Sequence, residues 1–288
     1  MPTGLIVGCG YLGRRVAQKW LDAGRVVYVL TRNPENAAAF AAAGLCPLVG
    51  DVTEPDSLPE LPIVDTVLFA VGWDRSTNKS PYQVHVDGLS QLLERLRDHV
   101  RRIIYISSTG VYSQTDDQWI DESSPAEPTR DSGKACLQAE QLLLQSRFAD
   151  RAVVLRLAGI YGPQRVPQKQ IVTANQPIQV DPDGYLNLIH VDDAVSAVLA
   201  AELIQQTPTT ILVCDDQPVL RRDYYSEVAR LYHAPPPRFA TPDKQRLTQQ
   251  RGGTSKRVRN DKLKTQLAFK FAYPNYREGL AAILEQAD

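Results

Sequence analysis

The chain is short of the features that would tie it to a membrane, a metal or a nucleic acid. No apolar run in its 288 residues is long enough to span a bilayer. Its 32 lysines and arginines face 33 aspartates and glutamates, a net charge of −1. The molecule as a whole is therefore not drawn electrostatically to nucleic acid or to an anionic membrane surface. The four cysteines, Cys9, Cys46, Cys136 and Cys214, are scattered and show no metal-ligand spacing. No metal site is expected, and unpaired thiols of this kind suggest a reducing, cytoplasmic setting. The first apolar run begins at Leu5, so no signal peptide is expected before it. There is no internal repeat, and a small alanine cluster over 37–43 is the one biased stretch. What remains is enough chain for one large α/β domain, or for such a domain with a smaller lobe.

The most informative stretch is the start, where the apolar run Leu5-Ile6-Val7 leads into Gly8-x-Gly10-x-x-Gly13 and then into helical spacing through Val16, Trp20 and Leu21. Each glycine has a physical task in a strand–turn–helix unit. Gly8 permits the tight turn, Gly10 lets a pyrophosphate approach the backbone, and Gly13 lets the helix pack close to the strand. The helix then aims its N-terminal N–H groups and its positive dipole end at the phosphates. A lone glycine pattern is weak, and a glycine-rich βα turn that binds nothing is the alternative. The strand before and the helix after favour dinucleotide binding.

Downstream, strands and helices alternate. Strand patterns occupy 25–30, 46–51, 64–71, 101–108, 152–157 and 210–214; helical spacing runs through 37–43, 82–100, 132–148, 192–206 and 221–232. The alternation predicts a doubly wound parallel sheet, a Rossmann fold, with helices on both faces. The pattern loosens after Gly162-Pro163 into a Pro- and Gln-rich segment. Residues 1–162, completed by about 190–215, are therefore expected to form the dinucleotide-binding domain, with 163–189 and 216–288 forming a smaller C-terminal lobe for substrate. The polar, basic stretch from Asp243 to Lys264 reads as a solvated face or as a surface for an anionic substrate.

Cofactor choice is read at the end of the second strand. An NAD-specific sheet places an acidic residue there, ~20 residues after the glycines, on the ribose 2′-hydroxyl. Here the place holds Thr31 and Arg32. A guanidinium can pair with a 2′-phosphate, so NADP(H) is expected to be preferred. A plain surface charge, or stacking on the adenine, is the other reading of Arg32.

These pieces, in this order, resemble the extended short-chain dehydrogenase/reductase family, the NAD-dependent epimerase/dehydratase group. The motifs that carry the resemblance are Gly8–Gly13, Ile106-Ser-Ser-Thr-Gly-Val-Tyr112, Leu155-Arg-Leu-Ala-Gly-Ile-Tyr-Gly-Pro163, Leu188-Ile-His-Val-Asp-Asp193, Asp216-Gln-Pro-Val219 and Ser255-Lys-Arg-Val258. The resemblance implies an NAD(P)-binding sheet and these site residues. Gly8, Gly10, Tyr11, Leu12 and Gly13 match the phosphate loop, and Asp51 and Val52 the residues flanking the adenine. Ala70, Val71 and Gly72 match the turn beside the adenine ribose and pyrophosphate. Ser107 and Ser108 close the fifth strand, Ser108 matching the catalytic Ser/Thr, and Leu157 and Ala158 match the strand end near the nicotinamide. For Asp51 a simple strand-exit turn is an equal alternative. A homodimer through the helices after the fourth and fifth strands is implied by the same analogy.

The family's acid/base pair, Tyr-x-x-x-Lys at the start of the helix after the fifth strand, is missing. Ungapped alignment through Glu140-Gln-Leu-Leu143 puts Ser132 at the tyrosine and Cys136 at the lysine. Lys134 cannot stand in for Cys136, because two residues on a helix point to nearly opposite faces. His85 stands where the family usually has asparagine; it reads as a packing residue or, given its titration range, as an acid/base. The expectation is an atypical member: an NAD(P)-dependent oxidoreductase acting on a small or nucleotide-linked polar substrate, with Ser108 and His85 as catalytic candidates. The alternative is a catalytically inactive NAD(P)-binding sensor or interaction protein.

Overall fold

The computed structural model describes residues 1–240 and 253–285. Seven strands form one sheet: β1 (Thr3–Val7), β2 (Val26–Thr31), β3 (Cys46–Val49), β4 (Thr66–Phe69), β5 (Arg102–Ser108), β7 (Ala152–Leu157) and β11 (Thr209–Val213), in the order β11-β7-β5-β4-β1-β2-β3. The pairings β3–β2, β2–β1, β1–β4 and β4–β5 are parallel. From β1 the chain winds one way through β2 and β3, then crosses back to β4 on the other side of β1. The reversal makes the carboxyl ends of β1 and β4 a switch point, where ligands of such sheets bind. The expected doubly wound α/β architecture is the observed one.

The strands bury both faces. Leu5 and Val7 of β1 join Val67, Phe69, Ile103, Tyr105 and Val154 in one core, closed by Leu89, Leu92 and Leu93 of α3 (Gly88–Arg95) and Ala139 and Leu143 of α4 (Asp131–Gln145). Ile6 points the other way, as the period of two requires. On that face α1 (Tyr11–Asp22) lies so close that a Cβ at Gly4 would stand 2.5 Å from the Trp20 ring. Two elements differ from the sequence reading. Helix α2 (Pro34–Ala42) starts ahead of the alanine cluster, because Asn33 Oδ1 accepts the Glu35 N–H at 2.7 Å and Pro34 takes the first helical position. The helix expected over 82–100 opens with a π-helical turn, Gln83–Asp87, and α3 stops at Arg95.

The chain divides into two compact units. Unit 1 comprises residues 1–108, 131–156 and 195–211; unit 2 comprises 109–130, 157–194 and 212–288. Unit 2 pairs β8 (Gly159–Tyr161) with β10 (Leu188–His190), β9 (Tyr185–Leu186) with β12 (Val219–Leu220), and β6 (Trp119–Ile120) with β13 (Arg257–Val258). Its core gathers Tyr161, Leu188, Tyr224, Val228, Tyr276 and Leu280 between α7 (Arg221–Leu231) and α9 (Tyr276–Glu285). The remaining helices are α5 (Lys169–Thr173) and α8 (Asp261–Leu267) of unit 2, and α6 (Val191–Glu202), which lies in unit 1 from residue 195 on. Of the basic stretch Asp243–Lys264, residues through 252 lie outside the described residues. Among the described residues no helix is long and apolar enough to cross a membrane.

Candidate functional site

Unit 1 carries a cleft of about 380 Å³ at the switch point. Its floor is the turn after β1. Gly8 has φ +94°, and a Cβ there would stand 2.5 Å from the Ala70 carbonyl carbon and the Val71 nitrogen. The position is therefore closed to any side chain, on both conformational and steric grounds. Gly13, in the first turn of α1, would drive a Cβ to 2.5 Å from the Gly8 carbonyl oxygen. Gly10 is different: a Cβ there meets nothing within 4 Å, and the residue lines the cavity. Its bare backbone faces open space just before α1, which is the form a pyrophosphate-binding turn requires. The residues present thus fit a dinucleotide, with Gly8 and Gly13 shaping the turn and Gly10 leaving room for phosphate.

Around the cleft stand Thr31 and Arg32 from the end of β2, Asp51 and Val52 after β3, and Ala70, Val71 and Gly72 after β4. Asp51 Oδ1 accepts the Thr53 N–H and the Thr53 hydroxyl, both at 2.8 Å, so its side chain also builds the strand-exit turn. Tyr11 and Leu12 belong to the first turn of α1. The Arg15 guanidinium lies 4.2 Å from the Tyr11 ring centre and donates to the Tyr11 carbonyl at 2.9 Å. Leu12 is buried.

Several cleft residues escaped the sequence reading. Asn36 and Phe40 line it from α2, four apart and hence on one helix face. That spacing was a usable signal. Asp74 and Thr77 line it from the loop after β4. Nothing local in the sequence brings that loop back to Arg32, yet Arg32 Nη2 lies 3.7 Å from Asp74 Oδ2. A carboxylate therefore does stand beside Arg32, contrary to what the end of β2 alone suggests.

The remaining expected site residues do not line this cleft. Ser107 and Ser108 close β5. Ser107 is buried, and its hydroxyl donates to Glu140 Oε1 of α4. Ser108 is half-buried. His85 sits in the π-helical turn, buried, with Nδ1 3.3 Å from the Tyr105 hydroxyl. Burial pushes its imidazole pKa down to about 4, so it is neutral at ordinary pH. The Tyr105 hydroxyl is also hydrogen-bonded to Cys136, and burial raises its own pKa well above the ordinary range. The Cys136 side chain thus faces the core, while Lys134 is exposed and lies 3.9 Å from Asp131. Leu157 ends β7, and the Ala158 N–H that follows donates to Val213 at 2.9 Å; both residues are buried and belong to unit 2.

Unit 2 holds an unusual cation of its own. Lys256 is buried, and its ammonium donates to the Tyr112 carbonyl at 2.9 Å and the Thr254 hydroxyl at 3.3 Å. Burial, with Arg130 and Arg221 nearby, lowers its pKa to about 8. Tyr112 is buried too and donates to the Asp121 carbonyl at 3.1 Å, the behaviour of a packing residue.

The model of the NAD dependent epimerase/dehydratase family matches residues 5–213. The chain belongs to this family. Protein YeeZ of Escherichia coli K12 is 25% identical over 281 residues, covering 94% of this chain and 96% of that protein. A functionally unknown conserved protein from Silicibacter pomeroyi superposes over 100% of both chains, with a TM-score of 0.80 and 29% identity. UDP-glucose 4-epimerase from Thermotoga maritima, solved with UDP-glucose, shares the fold over 99% of both chains at a TM-score of 0.79 and 17% identity.

Proposed function

We propose that the unit 1 cleft binds NAD(P), with NADP(H) preferred, and that the chain is an NAD(P)-dependent oxidoreductase of the epimerase/dehydratase family. Its substrate is a small or nucleotide-linked polar molecule, and its proton transfer does not use a tyrosine–lysine pair. The observation that carries the reading is the turn at Gly10. Its backbone opens onto the cavity, while Gly8 and Gly13 have no room for any side chain. Phosphates are held there by backbone N–H groups and the α1 dipole. Asp51, Val52, Ala70, Val71 and Gly72 flank the adenosine half, and Arg32 faces the 2′-phosphate.

When bound, the nicotinamide supplies a hydride donor or acceptor. Of the chain's own groups, Ser108 would hydrogen-bond the reacting oxygen. The proton would pass through His85 or through water. A nucleotide-linked substrate is supported by the UDP-glucose in the Thermotoga epimerase of the same fold. A cytoplasmic setting and a homodimer through α3 and α4 go with this reading, and sedimentation of the purified chain checks the second.

The missing acid/base pair favours one other reading, a cofactor-binding sensor without turnover. Fluorescence titration with NADPH and NADH, followed by turnover against a panel of carbonyl compounds and nucleotide sugars, decides between them. Binding with turnover supports the oxidoreductase. Binding without turnover supports the sensor, and no binding of either nucleotide overturns both.

A further inference from the structure

Two charges of opposite sign meet at the rim of the unit 1 cleft, and they come from different strands. Arg32 follows β2 and Asp74 follows β4; both line the same cavity, about half exposed, with Nη2 and Oδ2 3.7 Å apart. The carboxylate is anchored. Asp74 Oδ1 accepts the Ser76 N–H at 2.9 Å and the Ser76 hydroxyl at 2.7 Å, and the Thr77 hydroxyl donates to the Asp74 carbonyl at 2.8 Å. The bonds from Ser76 hold the Asp74 carboxyl below the usual carboxylate range. Trp73 Nε1 donates to the Lys79 carbonyl at 2.8 Å, and Lys79 pairs with Glu54 at 3.1 Å, so the whole loop is pinned. With Oδ1 engaged by Ser76, Oδ2 is the oxygen left to face Arg32.

We propose that Asp74 is a nucleotide-discriminating residue of this cleft. It supplies, from the loop after β4, the carboxylate that is missing from the end of β2. A 2′-phosphate gains the Arg32 guanidinium but must separate it from Asp74 and then lie near a fixed negative charge. A ribose 2′-hydroxyl meets no such repulsion and can donate to Oδ2. Arg32 and Asp74 therefore act in opposite directions on the choice between NADP and NAD, and Asp74 narrows the preference that Arg32 creates. This inference rests on the proposed placement of the 2′-phosphate at Arg32.

The test is direct binding of NADPH and NADH, followed by nicotinamide fluorescence, to the full-length protein and three variants. Asp74→Asn keeps an amide oxygen for Ser76 and removes only the charge. Its NADPH affinity should rise about two- to fivefold, the scale of an exposed charge contact, while NADH affinity stays level or falls. The gain should shrink at about 0.5 M salt, where charges this exposed are screened. Asp74→Ser, which also removes the charge, should move the two affinities the same way; it guards against a local effect of the amide. Arg32→Ala should weaken NADPH binding and spare NADH. If Arg32→Ala weakens NADPH binding but neither Asp74 variant strengthens it, the role of Asp74 is wrong and the NADP reading stands. If Arg32→Ala leaves NADPH binding unchanged, the 2′-phosphate does not sit at Arg32 and both fall together.

Discussion

Glu140 and Arg156 form a forked ion pair inside unit 1. Arg156 Nε lies 3.0 and 3.1 Å from the two Glu140 oxygens, and Nη2 lies 2.6 Å from Oε2. Both side chains are almost fully shielded, and the Ser107 hydroxyl donates to the same carboxylate. The pair ties α4 to the ends of β5 and β7.

Breaking one half of such a pair strands the other charge without solvent. Glu140→Gln should therefore destabilise the protein by about 3–5 kcal/mol, read by urea denaturation. Adding Arg156→Met should restore much of that loss, because it removes the stranded cation. A single-variant loss below about 1 kcal/mol would show that the guanidinium finds another partner.

The glycine turn makes a second, graded prediction. Gly10→Val should leave the fold intact, since a Cβ there meets nothing within 4 Å, but should abolish NADPH binding by filling the phosphate approach. Gly8→Ala should instead lower stability, because φ is +94° and a methyl would press on the Ala70–Val71 peptide. Circular dichroism and cofactor titration on both variants separate the two effects. Unchanged affinity in a folded Gly10→Val would mean that this turn does not carry the phosphates.

The parts of the fold that were legible in the sequence are those written in local pattern. The strand Leu5–Val7, the glycines behind it and the period of each later strand need only neighbours along the chain, and 152–157 matches β7 residue for residue. What escaped depends on contacts distant in sequence. Asp74 meets Arg32 only because β4 lies beside β1 in the sheet. The π-helical turn holding His85 leads into Gly88, where a Cβ would stand 2.8 Å from Val52, a contact made across the sheet order. Glu140, used in the sequence only to fix the alignment, is a buried ion-pair partner because Arg156 reaches it from β7.

His85 gives the protein an acid-sensitive element. Its folded pKa is about 4, below the ordinary value of 6.5, so the folded state resists a proton that the unfolded chain accepts. This contribution to stability is fully present above about pH 6.5 and is lost as pH falls toward 4, reaching about 3 kcal/mol. His85→Asn, which removes the titrating group, should flatten the difference in urea midpoint between pH 7 and pH 4.5 relative to wild type. Identical pH dependence in the two proteins would show that His85 is protonated freely in the folded state.

Lys256 should act with the same sign at the alkaline end. Its pKa is lowered from 10.5 to about 8, so burial penalises the charged form. The neutral form's advantage is fully present above about pH 10.5 and is lost as pH falls toward 8. Between pH 8 and 10 the wild type should therefore gain stability relative to Lys256→Met, by up to about 3 kcal/mol over the full range. Parallel curves for the two proteins would place the ammonium in contact with water or an anion.

Aligned through Glu140–Leu143, the positions of the family's acid/base pair fall on Ser132 and Cys136 in this chain. A tyrosine phenol works as an acid because a neighbouring lysine ammonium brings its pKa of ~10 toward the working range. Ser132 has an aliphatic hydroxyl, far less acidic and on a shorter side chain. Cys136 cannot supply the positive charge, and its thiol is turned into the core, hydrogen-bonded to Tyr105. Lys134, the nearest cation along the helix, is exposed beside Asp131. Ser132→Ala and Cys136→Ala should therefore each change any turnover by less than about tenfold, below the ~10²–10⁴ expected for removing a working acid or base. The measurement is kcat and KM with NADPH against the best carbonyl substrate of the panel. A hundredfold loss of kcat in Ser132→Ala, with NADPH affinity intact, would mean that this serine has taken over the proton transfer.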